Sequence, residues 1–126
     1  IELIKKNLGK KIILIDRFID STFAYQHYGM NINFKFIKII NHFLLRKIKV
    51  NFTFLNIVNK KNMLLRLSKR TNLNKYDKFT NAFYTKVQNG FIKIAQNNPT
   101  KYMKINSNLD INFNEKLILA KIDKLI

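Results

Sequence analysis

The side chains best suited to chemistry are concentrated in residues 14–29, LIDRFIDSTFAYQHYG. Arg17 carries a planar guanidinium that can bind a phosphate through two parallel hydrogen bonds. Asp16 beside it offers the oxygen ligand that Mg²⁺ prefers. Thr22 and Gln26 lie four residues apart, so a helical turn would present both on one face. This combination predicts a site for a phosphorylated ligand.

Each of these residues taken alone also has an ordinary structural explanation. The Asp-Arg pair at 16–17 is typical of an ion pair at a strand end, and the Ser-Thr pair at 21–22 is typical of a helix N-cap. Tyr25 alone would belong to a core. Asp20 is ambiguous, because an acidic residue in a first turn also suits the helix dipole.

The elements around this cluster alternate between strand and helix patterns. The apolar run at 12–15 predicts a strand buried on both faces of a parallel sheet, and further strands are predicted at 51–58 and 102–106. Helices are predicted at 2–7 with Gly9 as the C′ residue, at 33–47, at 60–70 with Asn59 as N-cap, at 79–97 and at 113–126. This order predicts a single α/β domain, a parallel sheet with helices on both faces. Ligands bind at the carboxyl ends of such strands, and the cluster follows the first one.

The composition is strongly basic, with 24 Lys and Arg against 7 acidic residues and a net charge of +17. Only four of these cations are Arg, while Lys, Asn, Ile and Phe, which share A- and T-rich codons, are abundant. The Lys residues are spread along the whole chain, which favours a diffuse solvated surface over a nucleic-acid-binding arm. Cysteine is absent, which excludes disulfides and thiolate metal sites. No apolar stretch approaches the ~20 residues that span a bilayer.

The motif DRFIDSTFAYQ at 16–26 resembles the DR[YFH]-x-x-S-[TN]-x-A-Y-Q segment of bacterial thymidylate kinases, which phosphorylate dTMP with ATP. FTFLNIV at 52–58 is similar to the LTxxLDV strand of that family, and MLLRLSKRTNLNKYD at 63–77 to its Arg-rich lid. FYTKVQNGFIKIA at 83–95 is similar to its FFxRVRxxYLELA helix, and YMKINSNLD at 102–110 to its last strand and IDA loop. The resemblance implies a P-loop nucleoside monophosphate kinase fold. It divides the chain into a monophosphate-binding segment at about 14–33, a lid at about 66–78 and a closing strand and helix at about 101–126.

The resemblance implies a dTMP site formed by five residues: Arg17, Ser21, Thr22, Tyr25 and Gln26. Arg17 would bind the acceptor phosphate, and Thr22 and Gln26 would reach the pyrimidine edge. Tyr25 would pack on the sugar. A nucleoside monophosphate requires this combination of a planar cation, hydrogen-bonding groups and an aromatic wall.

The lid resemblance implies the donor side of the reaction. Arg70 and Lys75 are expected to stabilise the transferred phosphoryl group, and Arg66 to contact the adenine side of ATP. Asn106 and Ser107 are expected to contact ATP from the loop after the last strand. A cation-rich helix end that suits the helix dipole remains the simpler alternative for the lid arginines.

Asp16 is implied to hold Mg²⁺, directly or through water, as the cofactor bound with ATP. Together with Arg17, Arg70 and Lys75 it makes up the implied catalytic set. Three of the four arginines in this Lys-rich chain fall on implied phosphate or nucleotide positions, where a Lys would supply the charge without the forked geometry.

The chain departs from the family in one large respect. No G-x-x-x-x-G-K-[ST] motif is present, and the only glycines are Gly9, Gly29 and Gly90. In the family the P-loop lies upstream of the matching segments, and its backbone N–H groups cannot be replaced by scattered Lys. We therefore expect a carboxyl-terminal portion of a longer kinase, with little or no activity alone.

The predicted function is cytoplasmic, ATP-dependent phosphorylation of dTMP to dTDP, with dTMP and ATP as partners and no specific nucleic acid or membrane partner. Two alternatives stay open: a kinase for another pyrimidine monophosphate such as dUMP, and a basic nucleic-acid-binding module without catalysis. A homodimer is also possible through one face of the 33–47 helix, which could equally be ordinary core. That face consists of Phe36, Ile37, Ile40, Phe43 and Leu44.

If the charge of +17 reflects genomic composition, binding to duplex DNA should be weak, independent of sequence and steeply reduced by salt. Fluorescence anisotropy with two unrelated duplexes across a salt series would measure this. Tight, sequence-selective binding at ~150 mM salt would contradict the prediction and favour the nucleic-acid-binding alternative.

Overall fold

The computed structural model describes residues 1–45, 48–71 and 80–126. Most of the predicted lid, with Lys75, lies outside the described residues. In chain order the described elements are α1 (Glu2–Asn7), α2 (Ile19–Thr22), a π-helix (Phe23–Gly29), α3 (Phe34–Leu45), β1 (Thr53–Ile57), α4 (Lys60–Ser68), α5 (Asn81–Gln96), a 3₁₀-helix (Pro99–Lys101), β2 (Tyr102–Asn106) and α6 (Ile111–Ile122).

The ends of several helices follow directly from local sequence. The side chains of Asn59, Thr80 and Asp110 accept backbone N–H groups from the first turns of α4, α5 and α6. Gly9 adopts a φ of 75° just after α1, as predicted for a C′ glycine. The predicted N-cap at Asn59 is therefore confirmed, and α6 begins two residues earlier than predicted because Asp110 caps it.

The sheet formed by the described residues has two parallel strands. β1 pairs with β2 from Thr53 opposite Tyr102 to Ile57 opposite Asn106, and the connection between them contains α4 and α5. Leu55 in β1 and Ile105 in β2 are both buried. The predicted α/β class with parallel strands is confirmed.

The prediction of a buried strand at 12–15 is wrong. These residues form no helix or strand, and Ile12 and Leu14 are 64% and 82% exposed. An extended apolar run becomes a strand only when a neighbouring strand accepts its backbone hydrogen bonds. The sheet of the described residues offers this run no such pairing. The cluster at 16–26 therefore does not extend a sheet strand.

The main packing contact lies between the π-helix and α5. Ala24 on the π-helix is buried against Phe83 and Val87 on α5. Two glycines allow this close approach. A Cβ atom at Gly29 would lie 2.7 Å from the Phe83 ring, and one at Gly90 would lie 2.6 Å from the Tyr28 ring. The helix predicted at 79–97 is confirmed over Asn81–Gln96, and its buried Phe83 and Val87 face the π-helix, while position 79 lies outside the described residues.

The apolar face of α3 is largely uncovered. Of its five predicted members only Ile37 is buried, whereas Phe36 and Phe43 are 59% and 63% exposed. A hydrophobic period marks residues that gain from burial, but burial also needs a covering element. The interpretation of this face as ordinary core is therefore wrong for the described residues, and its role in a homodimer stays a prediction. Within the described ranges, no helix has the length and apolarity needed to cross a membrane.

Gly90→Ala should destabilise the fold, because the added methyl group would collide with the Tyr28 ring and with its Cβ atom. Overpacking of this kind costs about 1–3 kcal/mol, which outweighs the ~1 kcal/mol gain in helix propensity. Asn89→Ala is the matched control, because Asn89 is the exposed neighbour on the same helix. Urea denaturation of both variants would measure the difference. A Gly90→Ala protein as stable as the control would show that Tyr28 moves aside at no cost.

Candidate functional site

Arg17 lies at the entrance to α2 in an unusual backbone conformation. Its φ is 58°, in the left-handed region that few residues other than glycine adopt. Its Nη1 donates a hydrogen bond to the Tyr25 hydroxyl at 3.0 Å, and its guanidinium carbon lies 5.7 Å from the centroid of the Tyr25 ring. Strained backbone of this kind is concentrated at functional sites, where the surrounding structure holds it in place.

Arg17 forms one wall of a cavity of about 230 Å³. The residues that line this cavity are Arg17, Ser21, Thr22, Tyr25 and Gln26. They are the five residues that the sequence assigns to the acceptor site, and the structure brings all of them to one surface. Their roles in binding stay predictions, whereas their juxtaposition is a structural finding.

The cavity wall is built partly from the π-helix. The Met30 N–H donates to the Tyr25 carbonyl at 2.9 Å, a contact across five residues where an α-helix would span four. The sequence predicted an α-helical face for Thr22 and Gln26. Both still line the cavity, although α2 ends at Thr22 and the π-helix carries Gln26. Wide helical turns occur frequently at functional sites.

Tyr25 belongs to both the core and the cavity. Its ring lies 6.0 Å from the Phe83 ring and 6.4 Å from the Phe91 ring, both on α5. Its hydroxyl accepts the hydrogen bond from Arg17. The two interpretations of this residue, core and ligand wall, are therefore compatible, because packing on α5 fixes the ring that in turn orients Arg17.

Gln26 carries an unpaired acceptor. Its Oε1 is buried and has no hydrogen-bond partner among the described residues. An unsatisfied buried carbonyl costs about 1–3 kcal/mol, which a ligand N–H group could recover. Gln26 lines the cavity, but its Oε1 is buried beneath the surface, so this oxygen becomes available to a ligand donor only when the side chain rotates.

Asp16 is exposed in a bend directly before Arg17. Within the described ranges, no cluster of three or more His, Cys, Asp or Glu residues gathers to hold a metal ion. Mg²⁺ at nucleotide sites typically uses one or two carboxylates together with water and substrate phosphates. The single exposed carboxylate of Asp16 is compatible with that donor set.

Asp20, left ambiguous by the sequence, makes a contact that the sequence did not predict. The Tyr102 hydroxyl donates to its Oδ2 at 2.7 Å, and Thr53 lies opposite Tyr102 as its register partner in the sheet. Burial raises the pKa of the Asp20 carboxyl, and the hydrogen bond from Tyr102 opposes that shift. Burial and the neighbouring carboxylate also raise the pKa of Tyr102. A tyrosine at the start of a strand carries no sequence signal of such a partner.

A second group of predicted residues meets at the other end of β2. Arg66 Nη2 on α4 donates to the Ser107 carbonyl oxygen at 2.6 Å, and the Ser107 N–H donates to the Ile57 carbonyl at 2.8 Å. Asn106 precedes Ser107 at the end of the strand. Three of the four residues expected at the ATP site therefore lie close together in space: Arg66, Asn106 and Ser107.

Asparagine side chains hold this turn in place. Asn108 Oδ1 accepts from the Asn59 N–H and from Asn62 Nδ2, both at 3.0 Å. Asn106 Oδ1 accepts from Asn108 Nδ2 at 2.8 Å, and Asn114 Nδ2 donates to the Asn106 carbonyl at 2.9 Å. The network joins α4, α6 and the turn after β2, and sequence reasoning assigned no such role to Asn108 or Asn114.

Arg70 lies just beyond α4, where its N–H donates to the Leu67 carbonyl at 3.1 Å. The side chain is exposed. Lys75, its predicted partner in stabilising the transferred group, lies outside the described residues. The predicted pairing of these two cations therefore stays a prediction.

Comparison with known proteins agrees with the geometry. A family model described as thymidylate kinase matches residues 1–118. The thymidylate kinase of Staphylococcus epidermidis is 34% identical over 99 residues, covering 78% of this chain and 49% of that protein. The thymidylate kinase of Acholeplasma laidlawii is 32% identical over 126 residues, covering 98% of this chain and 61% of that protein.

A solved structure is also similar. The crystal structure of thymidylate kinase from Ehrlichia chaffeensis superposes with a TM-score of 0.72 at 29% sequence identity, covering 96% of this chain and 57% of that one. The chain spans about half the length of the curated relatives that it matches. The family match over most of the sequence, together with the shared fold, shows that this chain belongs to the thymidylate kinase family.

Proposed function

We propose that this chain forms the dTMP-binding cavity and part of the ATP-binding surface of a kinase that converts dTMP to dTDP. The observation that carries the proposal is the cavity lined by Arg17, Thr22, Tyr25 and Gln26. It combines a planar cation, a hydroxyl, an aromatic ring and an amide side chain. The proposal places this activity in the cytoplasm, where ATP and deoxynucleotides are available.

Arg17 binds the acceptor phosphate in this proposal. Its hydrogen bond to Tyr25 at 3.0 Å holds the guanidinium beside the cavity before a ligand enters. A pre-oriented fork loses less side-chain entropy when it binds a phosphate. Tyr25 then serves as the wall against which the sugar packs.

Gln26 and Thr22 bind the base. The Watson–Crick edge of thymine presents one ring N–H donor flanked by carbonyl acceptors, and the Gln26 Oε1 would accept from that donor once the side chain rotates toward the ligand. The Thr22 hydroxyl can donate to a carbonyl. Cytosine carries an unprotonated ring nitrogen at the same place, which would face the amide oxygen without a hydrogen. The site therefore favours dTMP and dUMP over dCMP.

The donor side combines Asp16, Arg66 and Ser107. When Mg²⁺ is bound with ATP it neutralises phosphate charge, and Asp16 is the residue that would hold it, directly or through water. The hydrogen bond from Arg66 to the Ser107 carbonyl fixes a polar surface beside which adenine can lie. Arg70 and Lys75 supply positive charge to the transferred phosphoryl group.

Titration calorimetry of the 126-residue chain with dTMP, dUMP and dCMP tests the acceptor site directly. Binding of dTMP and dUMP, with dCMP at least about tenfold weaker, would support it. Equal binding of all three would indicate recognition of the phosphate alone and contradict the base contacts. Binding of none, by a chain that circular dichroism shows to be folded, would contradict the whole proposal. Transfer of phosphate from ATP should be assayed with the complete gene product that contains this sequence.

Arg17→Lys should weaken dTMP binding, and kcat/KM in an active protein that contains this chain, by at least about tenfold. The lysine keeps one positive charge but loses both the bidentate fork and the geometry of the bond to Tyr25. A tenfold loss corresponds to ~1.4 kcal/mol. Arg17→Ala should lose more, which separates the contribution of charge from that of geometry. Unchanged dTMP turnover in the lysine variant would exclude Arg17 from the acceptor site.

Thr22→Val and Gln26→Leu should raise KM for dTMP and narrow the preference for dTMP over dCMP, because each removes a partner of the base edge. The affinity for ATP should stay nearly constant. Steady-state kinetics with three acceptors would measure both effects.

Thr85→Val and Gln96→Leu are matched controls, since both residues are exposed on α5 and lie outside the cavity lining. The controls should leave acceptor selectivity unchanged. Cavity variants that alter only ATP binding would show that the base lies elsewhere.

A further inference from the structure

The acceptor cavity depends on a very short helix. α2 has four residues, and Phe18 before it provides no side-chain cap. α2 runs without a break into the π-helix, whose packing on α5 fixes the C-terminal end of α2, so contacts with the rest of the fold are needed to orient its uncapped first turn. Two of its four residues, Ser21 and Thr22, line the cavity. Any contact that fixes α2 therefore also fixes two walls of the site.

Asp20 makes such a contact through the hydroxyl group of Tyr102. Its Oδ2 accepts from the Tyr102 hydroxyl at 2.7 Å across 82 positions of sequence. Thr53 and Tyr102 are register partners at the first positions of β1 and β2. The hydrogen bond from Tyr102 thus joins α2 to β2, which is in turn paired with β1.

A carboxylate at this position is unfavourable if its purpose is packing alone. Burial raises the pKa of Asp20, so its ionised form opposes folding at neutral pH, and its contribution to stability improves as pH falls through the folded pKa. An apolar residue would avoid that penalty. The carboxylate offers instead a strong and directional acceptor for the Tyr102 hydroxyl.

We propose that Asp20 is a positioning residue of the acceptor site, which fixes α2 on the sheet through Tyr102 and thereby orients Ser21 and Thr22 in the cavity. Asp20 is not among the described residues that line the cavity, so it acts through its neighbours. The proposal deepens the proposed dTMP-binding function and rests on it.

The test compares Asp20→Ala, Tyr102→Phe, their double variant and Asp20→Asn in the 126-residue chain. Asp20→Ala and Tyr102→Phe should each weaken dTMP binding about fivefold, which is ~1 kcal/mol, and the double variant should be no weaker than the worse single one. Asp20→Asn should retain binding, because its amide oxygen still accepts from Tyr102. The Asp20→Asn variant should have a melting temperature at pH 7 no lower than that of the unmodified chain, because the penalty for burying the charge is removed.

Hydrogen exchange measured by mass spectrometry supplies a readout that does not depend on ligand. The alanine and phenylalanine variants should exchange faster in peptides covering 17–26, while β1, β2 and α5 keep their protection. Asp123→Ala and Tyr84→Phe are the controls, because they remove a carboxylate from the end of α6 and a hydroxyl from α5.

The outcomes separate the two proposals. If the unmodified chain does not bind dTMP, the proposed function is wrong, and the exchange data still decide whether Asp20 orders α2. If exchange at 17–26 is unchanged, or rises equally throughout the chain, the positioning role is wrong. The positioning role is also wrong if Asp20→Asn loses as much dTMP affinity as Asp20→Ala does.

Discussion

The π-helix can approach α5 closely only because two glycines leave space where the elements touch. Gly90 faces the Tyr28 ring and Gly29 faces the Phe83 ring, at distances that would exclude a Cβ atom. The contact buries Ala24 completely and presses the Tyr25 ring against two phenylalanines of α5. Since Tyr25 then accepts the hydrogen bond from Arg17, close packing in the core determines where the Arg17 guanidinium lies. The position of Arg17 beside the cavity therefore depends on the close packing of the π-helix against α5.

Local sequence determined some features of this fold fully and others only in part. The cap at Asn59 and the core face of α5 were predictable, because a cap involves neighbouring residues and a helical face depends on a simple period. The conformation of the run at 12–15 was not predictable, because a strand needs a pairing partner that its own sequence cannot specify. The π-helix was missed because its residues fit an α-helical pattern equally well. The contact between Asp20 and Tyr102 was missed because it depends on tertiary structure alone.

The candidate site was easier to predict than the fold around it. The five cavity residues lie within ten positions of one another, so a short motif contains nearly all the information about the cavity wall. The donor side is spread over α4 and the turn after β2, and its order depends on Asn106, Asn108 and Asn114. The amide side chains in this network both donate and accept, so they can connect three elements without a buried charge. The chain carries a net charge of +17, and hydrogen bonds between neutral asparagine side chains add no further charge to the turn.

β2 links the two halves of the proposed reaction. Tyr102 at its first position holds Asp20 and the acceptor cavity, whereas Asn106 at its last position precedes the Ser107 carbonyl that Arg66 contacts. A five-residue strand is about 13 Å from its first to its last Cα, and pairing with β1 keeps it extended. The strand therefore acts as a rigid spacer between the elements assigned to acceptor and donor. Under the proposed function, parts that project beyond the sheet have to bring the two phosphates together across that distance, and Arg17 at the entrance of α2 is one of these parts.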